Sequence, residues 1–372
     1  MLRRMPVSAP ARRAWQAQAH VAPILTTLLC ASTTGASCGQ KGLALLPGVV
    51  NDPKNLSLRR AILDFGTSRL CGEMQKRSVP LKLRDEDPIV GRFYPSGCAT
   101  QALGNENLFI QFAGYGYAWT NITKRMGFEA SGAVEYDQDF LMDGSTMYVY
   151  FRQRSTSAAK FTTGLIEQPG VGNVLGMPTT QGPQAGQSFA NAFGTQIMQN
   201  QIARGFTVIR QADGTVEFGL GVIEKGKRPA SPYRITDTGR VLLANERAEV
   251  HQNQREFVGP LEATSSSQAL YLTIAIEGAP GVDVLIVPRS IGEPWLQSYT
   301  HQVATTPPPG LTVLDEPVFS GALWRRTVPV PKGQFYVVLD NTATAGRTQP
   351  TTYAADDRAA MISYAVELGD AP

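Results

Sequence analysis

Apolar residues in this chain arrive in short alternating runs, each stopped by a turn residue, and that rhythm restricts the fold more than any other feature. Leu270 to Ile276, Val282 to Val287, Leu323 to Val330, Phe335 to Asp340 and Met361 to Leu368 each read as a strand. Gly at 36 positions and Pro at 25 supply the breaks between such runs. A mostly β fold is expected, with residues 250–372 forming a β-sandwich.

The stretch 105–249 reads as an α+β domain. Leu108, Ile110 and Phe112 alternate, Tyr115 and Tyr117 continue the pattern, and Met147 to Phe151 follows an Asp143-Gly144 turn as a further strand. Between Gln187 and Arg204, Phe189, Phe193 and Ile197 recur every fourth residue, with Met198 and Ile202 widening the stripe. Gly205 is placed to end that helix. Phe206 to Gln211 and Thr215 to Ile223 form a hairpin around Ala212-Asp213-Gly214, and a second hairpin is expected around Asp237-Thr238-Gly239. The simplest arrangement that buries both apolar faces is an antiparallel sheet covered by one long helix.

Residues 38–104 read as a linker and a small helical cap. Ser57 is placed to start a helix whose Leu58, Ile62 and Phe65 share a face, with Gly66 as its stop. That helix is expected to lie on the following domain.

Residues 1–37 have the layout of a secretory signal. Arg3, Arg4, Arg12 and Arg13 precede the apolar stretch Val21 to Leu29, and no acidic residue interrupts them. The stretch is well short of the ~20 residues a membrane-spanning helix needs. The basic region is long enough to make Met5 a second candidate start. Thr34-Gly35-Ala36-Ser37-Cys38 resembles the lipobox of bacterial lipoprotein signal peptides. Ala36, Ser37 and Cys38 match the pattern, and Gly35 stands where Leu is usual. The resemblance implies lipidation at Cys38, and Gly39 in place of Asp implies the outer membrane. Ordinary cleavage nearby and a cytoplasmic chain are the alternatives.

The cysteines fit that address. Cleavage discards Cys30, lipidation uses Cys38, and Cys71 and Cys98 remain as a candidate disulfide in an oxidising compartment, with two buried thiols as the alternative. The chain is formally +3, and since the leader carries four arginines and no acids, the remainder is near −1. No basic stripe is left, so no nucleic-acid partner is expected.

The final third resembles the pre-peptidase C-terminal type of β-sandwich found on secreted bacterial proteins. Gly281-Val282-Asp283-Val284-Leu285-Ile286-Val287 and Lys332 to Asp340 carry the likeness. In that group these strands belong to the fold and not to a catalytic site.

No motif for chemistry stands out. Outside the leader only His251 and His301 remain, neither at metal-ligand spacing, and no G-x-S-x-G elbow occurs. Asp137, Asp139, Asp143 and Gly144 resemble a calcium loop, but Leu141 sits where an oxygen ligand is needed. Gly170 to Gly176 lacks the Lys-Ser/Thr ending of a phosphate loop. Trp295 and Tyr299, read as lying on a loop flanked by Pro294, and Trp324, at the start of a strand, are candidate ligand contacts, with core filling as the alternative. The sequence is therefore expected to specify a cell-envelope lipoprotein with no enzymatic activity, cofactor or metal. Its work would be binding or scaffolding, with the membrane, through the anchor, and an envelope protein or glycan as partners. One rival is a hydrophobic-ligand carrier with an apolar cavity in residues 105–228. The other is a glycan hydrolase, which needs two facing carboxylates roughly 5 to 10 Å apart.

Overall fold

The computed structural model describes Gly48 and residues 51–372, except 68, 85, 104–106, 169–181, 212–215, 226–231, 235–238 and 349–358. The leader, Cys38, the Gly170 to Gly176 segment and the tip at Ala212 to Gly214 lie outside the described residues.

Two helices open the described chain, α1 (Leu56–Thr67) and α2 (Leu70–Met74). A seven-stranded antiparallel sheet follows in strict chain order: β1 (Val79–Leu81), β2 (Gly91–Ala102), β3 (Asn107–Thr120), β4 (Lys124–Asp143), β5 (Thr146–Ile166), β6 (Phe206–Arg210) and β7 (Val216–Leu220). Strands β4 and β5, at 20 and 21 residues, are several times the usual length. Their register shifts at three places, and such bulges add bend and twist, so the sheet curls into a half-barrel.

Helix α3 (Gly182–Arg204) crosses this sheet, starting before the expected Gln187. Ala190, Ile197 and Met198 are buried against Phe93, Met126 and Phe128, with Phe193 half-buried beside them. Gly205 does end the helix: its φ is +65°, and a Cβ there would sit 2.0 Å from the Phe151 carbonyl oxygen. On the same sheet face, Leu58, Ile62 and Leu63 of α1 meet Ile110, Val134, Phe140 and Val149. Gly66 does not stop α1, which runs on to Thr67.

The remaining strands form two four-stranded antiparallel sheets, face to face as a sandwich. One has the order β13-β10-β15-β8, from β8 (Val241–Val250), β10 (Gln268–Glu277), β13 (Trp324–Val330) and β15 (Ala360–Asp370). The other has β12-β11-β14-β9, from β9 (Gln254–Ala263), β11 (Gly281–Pro288), β12 (Leu314–Phe319) and β14 (Gly333–Asn341). Alternate residues fill the space between them, Leu270, Leu272, Ile274 and Ile276 from one side against Val282, Val284, Ile286, Val337 and Leu339 from the other. Strand β8 pairs with β15, and most of the expected second hairpin around Asp237-Thr238-Gly239 lies outside the described residues.

The second sheet is covered on its outer face too. Helix α4 (Arg289–His301), where a loop was expected, lies there with β2 and β3 of the curled sheet. Val282 to Val287 are consequently all buried, and β11 is apolar on both sides apart from Asp283. Strand β3 shows how the curled sheet serves two neighbours. Its even positions Leu108, Ile110 and Phe112 face the helices, whereas its odd positions Tyr115 and Tyr117 face the sandwich.

Candidate functional site

Along that junction the apposed surfaces separate to leave a cleft of about 400 Å3. Its position follows from local sequence. Strand β2 shifts register between Pro95 and Gly97, at the proline that cannot donate to a ladder. The Cys71–Cys98 disulfide, with Cα atoms 5.3 Å apart, ties α2 to the far half of β2 and so holds Gln75, Lys76 and Arg77 at the cleft's edge. Opposite them, α4 and β14 supply Arg289, Glu293, Gln334 and Tyr336.

The centre of the cleft is a carboxylate with three donors. Glu293 accepts from the Tyr115 hydroxyl, from the Tyr336 hydroxyl at 3.0 Å and from Arg289 Nε at 3.1 Å. Burial, and then the neighbouring Glu293, push both phenols well above their ordinary pKa, so they stay protonated as donors. Behind them Tyr94, stacked on Tyr115 at 5.7 Å, donates to the Phe257 carbonyl at 2.6 Å. Arg289 also donates to Gln334 Oε1 at 2.6 Å, and Lys76 pairs with Glu262 at 2.8 Å. Arg77 lies over Phe218 and donates to the Val216 carbonyl. Lys76, Arg77 and Arg289 outnumber Glu293 in the lining itself, while Glu262 pairs with Lys76 and Glu73, Glu217 and Glu262 act on Arg77 from outside it. With both oxygens engaged by three donors, Glu293 is a fixed acceptor and a poor candidate base.

A second polar cluster, buried around Arg92 and Glu256, lies beside the cleft. Arg92 of β2 donates to Glu256 of β9 at 2.6 Å, to the Tyr364 hydroxyl of β15 at 2.7 Å, to Ser78 at 3.1 Å and to Glu246 of β8. Tyr117 completes the set, donating to Glu256 at 2.7 Å. Burial disfavours the charge on Arg92, but Glu246 and Glu256 outweigh it and hold the guanidinium protonated. This cluster joins all three sheets and offers no open position to a substrate.

Of the candidate site residues that are described, the structure joins Cys71 to Cys98 and leaves Trp295, Tyr299 and Trp324 out of the cleft lining. Trp295 and Tyr299 sit on α4, 1% and 3% exposed. Trp295 meets Phe257 edge-on at 5.3 Å and donates through Nε1 to the Thr306 carbonyl at 2.8 Å, while Tyr299 packs on Tyr117. They are core, not ligand contacts on a loop. Trp324 opens β13 opposite Ile274 and lies half-buried on the sandwich core. Asp139 and Asp143, where a calcium loop was set aside in favour of a strand edge and turn, belong to β4 and pair with Arg59 and Lys225. His251 stacks on Trp119 and contacts Glu249 at 2.7 Å, and no group of three His, Cys, Asp or Glu side chains that could hold a metal occurs among the described residues. Between α3 and the sheet, Phe112, Phe161 and Met198 border a gap of only about 10 Å3. The cleft residues Arg289 and Glu293 escaped the sequence reading because Gly292 and Pro294 look like breakers; their i,i+4 spacing was the signal available.

No protein-family model matches the chain, and no curated protein does. No helix among the described residues is long and apolar enough to cross a membrane.

Proposed function

We propose that this chain is a lipoprotein of the bacterial cell envelope, anchored through Cys38, with a non-catalytic binding or scaffolding role. The observation that carries the reading is the Cys71–Cys98 disulfide, which belongs to an oxidising compartment and leaves Cys38 as the cysteine the lipobox resemblance would use. The cleft at the junction of the sheets supports binding. Its single lining carboxylate is held by three donors, which disfavours the hydrolase alternative, and the filled layer beneath α3 disfavours a carrier. Gly39 after Cys38 favours the outer membrane.

Mass spectrometry of the mature amino terminus, after expression with the native leader in a lipoprotein-processing bacterium, tests this. The expected species begins at an acylated Cys38, and Cys38→Ser moves the protein out of the membrane fraction. An unmodified chain beginning elsewhere removes the anchor from the reading.

A further inference from the structure

We propose that the cleft binds an acidic saccharide, a carboxylated unit of one or two rings. This deepens the binding reading above and rests on it.

Hydrogen-bonding capacity argues for an anion. Both oxygens of Glu293 are already taken, and the Tyr94 hydroxyl is spent on Phe257. What remains is mostly donors. Arg289 uses Nε on Glu293 and Nη1 on Gln334, which leaves Nη2. Gln334 has given its oxygen to Arg289 and keeps its amide N–H groups, and Lys76 has N–H groups beyond the one directed at Glu262. A wall with three cations and surplus N–H groups selects a ligand rich in lone pairs and negatively charged, by charge-assisted hydrogen bonds.

Shape argues for a sugar. The half-buried Tyr115 ring is backed by Tyr94, with the buried Pro95 and Pro260 in the wall beside it. A sugar ring has a C–H face for such a surface and an oxygen rim for the donors. An extended acidic peptide is less suited, because Pro95 and Pro260 lack the backbone N–H groups that strand addition uses. A volume of about 400 Å3 is toward the small end of ligand sites, which suits one or two rings.

The test is isothermal titration of the purified, folded mature protein with uronic-acid disaccharides (digalacturonate, diglucuronate and dimannuronate), neutral digalactose and tri-aspartate. At least one uronate is expected to bind saturably and at least tenfold more tightly than digalactose or tri-aspartate. Arg289→Ala, at an exposed position, should weaken it by roughly tenfold or more, the usual scale for a lost charged hydrogen bond. Tyr115→Ala should weaken it as well. Lys76→Gln, also exposed, is a second charge variant should Arg289→Ala fail to fold. Failure of every uronate to bind, equal binding of digalactose or tri-aspartate, or affinity unchanged in the folded charge variants overturns the proposal. The mass of the Cys38 terminus reports on the anchor separately, so a lipidated protein that binds no uronate loses this inference and keeps its envelope assignment.

Discussion

Arg92 is the residue on which three sheets converge, and its two carboxylate partners respond to it differently. For Glu246, burial opposes ionisation, but Arg92 and the Tyr364 hydroxyl outweigh it and the carboxyl falls below its ordinary value of 4.5. For Glu256 burial prevails over Arg92, and the carboxyl is raised. The two therefore have opposite linkage. Glu246 contributes stability that is present above its unfolded pKa and lost as pH falls through its lower folded value. Glu256 contributes stability that is present at low pH and lost as pH rises through its higher folded value. Urea unfolding between pH 3 and 7 should show that Glu246→Gln flattens the acid side of the stability curve, whereas Glu256→Gln steepens the rise above pH 4.5. Equal slopes in the two variants would contradict the assignment. Nothing in Gly91-Arg92-Phe93 announces this role, since all three of its acidic and phenolic partners on the sandwich lie more than 150 positions away. The disulfide was legible because so few cysteines leave few pairings.

At the scale of elements, sequence patterns located strands well and helix α4 poorly. Helix α3 was legible from local spacing because its buried residues, among them Ala190, Ile197, Met198 and Ile202, share one face. Helix α4 was hidden by Pro294, which removes an N–H from its middle; the carbonyl this leaves, on Ser290, is at an exposed residue where water can satisfy it. The helix forms because Trp295, Leu296 and Tyr299 bury together against β9, β14 and the curled sheet. Arg125 closes its far end by donating to the Gln302 carbonyl at 2.9 Å and to that of Val303. Gly127 of β4 allows the close approach, for a Cβ there would lie 1.7 Å from the Thr300 carbonyl oxygen. That oxygen is backbone and cannot swing aside. Gly127→Ala is expected to cost about 1–3 kcal/mol, the range for overpacking, seen as a lower urea midpoint with an unchanged slope. A neutral effect would mean that α4 is held less tightly than described.

For the whole molecule, the curled sheet and the sandwich share a core, not merely a linker. Ile89, from the segment before β2, is 1% exposed among sandwich residues and bonds on both sides of its backbone to β8, at 2.8 and 2.9 Å. Unfolding should be a single transition, with calorimetric and van't Hoff enthalpies equal. Ile89→Ala should lower the stability by about 2–5 kcal/mol while preserving that single transition. Two separated transitions in calorimetry would refute the coupling. The uninterrupted apolar run from Val284 to Val287 was the available hint of it, because a strand wetted on one face would have alternated. The cleft was not legible at all, being assembled from α2, β2, β3, β9, α4 and β14, which only the tertiary fold brings together.

Strand β15 has one more consequence. It sits in the interior of its sheet, paired along its length with β10 on one side and β8 on the other. Because a chain is made from its amino end, β8 and β10 wait without their shared partner until residues 360–370 have been synthesised. The sandwich is thus withheld from completion until that strand emerges. A polypeptide that must be threaded through a secretion channel before folding would be served by that delay, and moving the β15 segment ahead of β8 by circular permutation would abolish it.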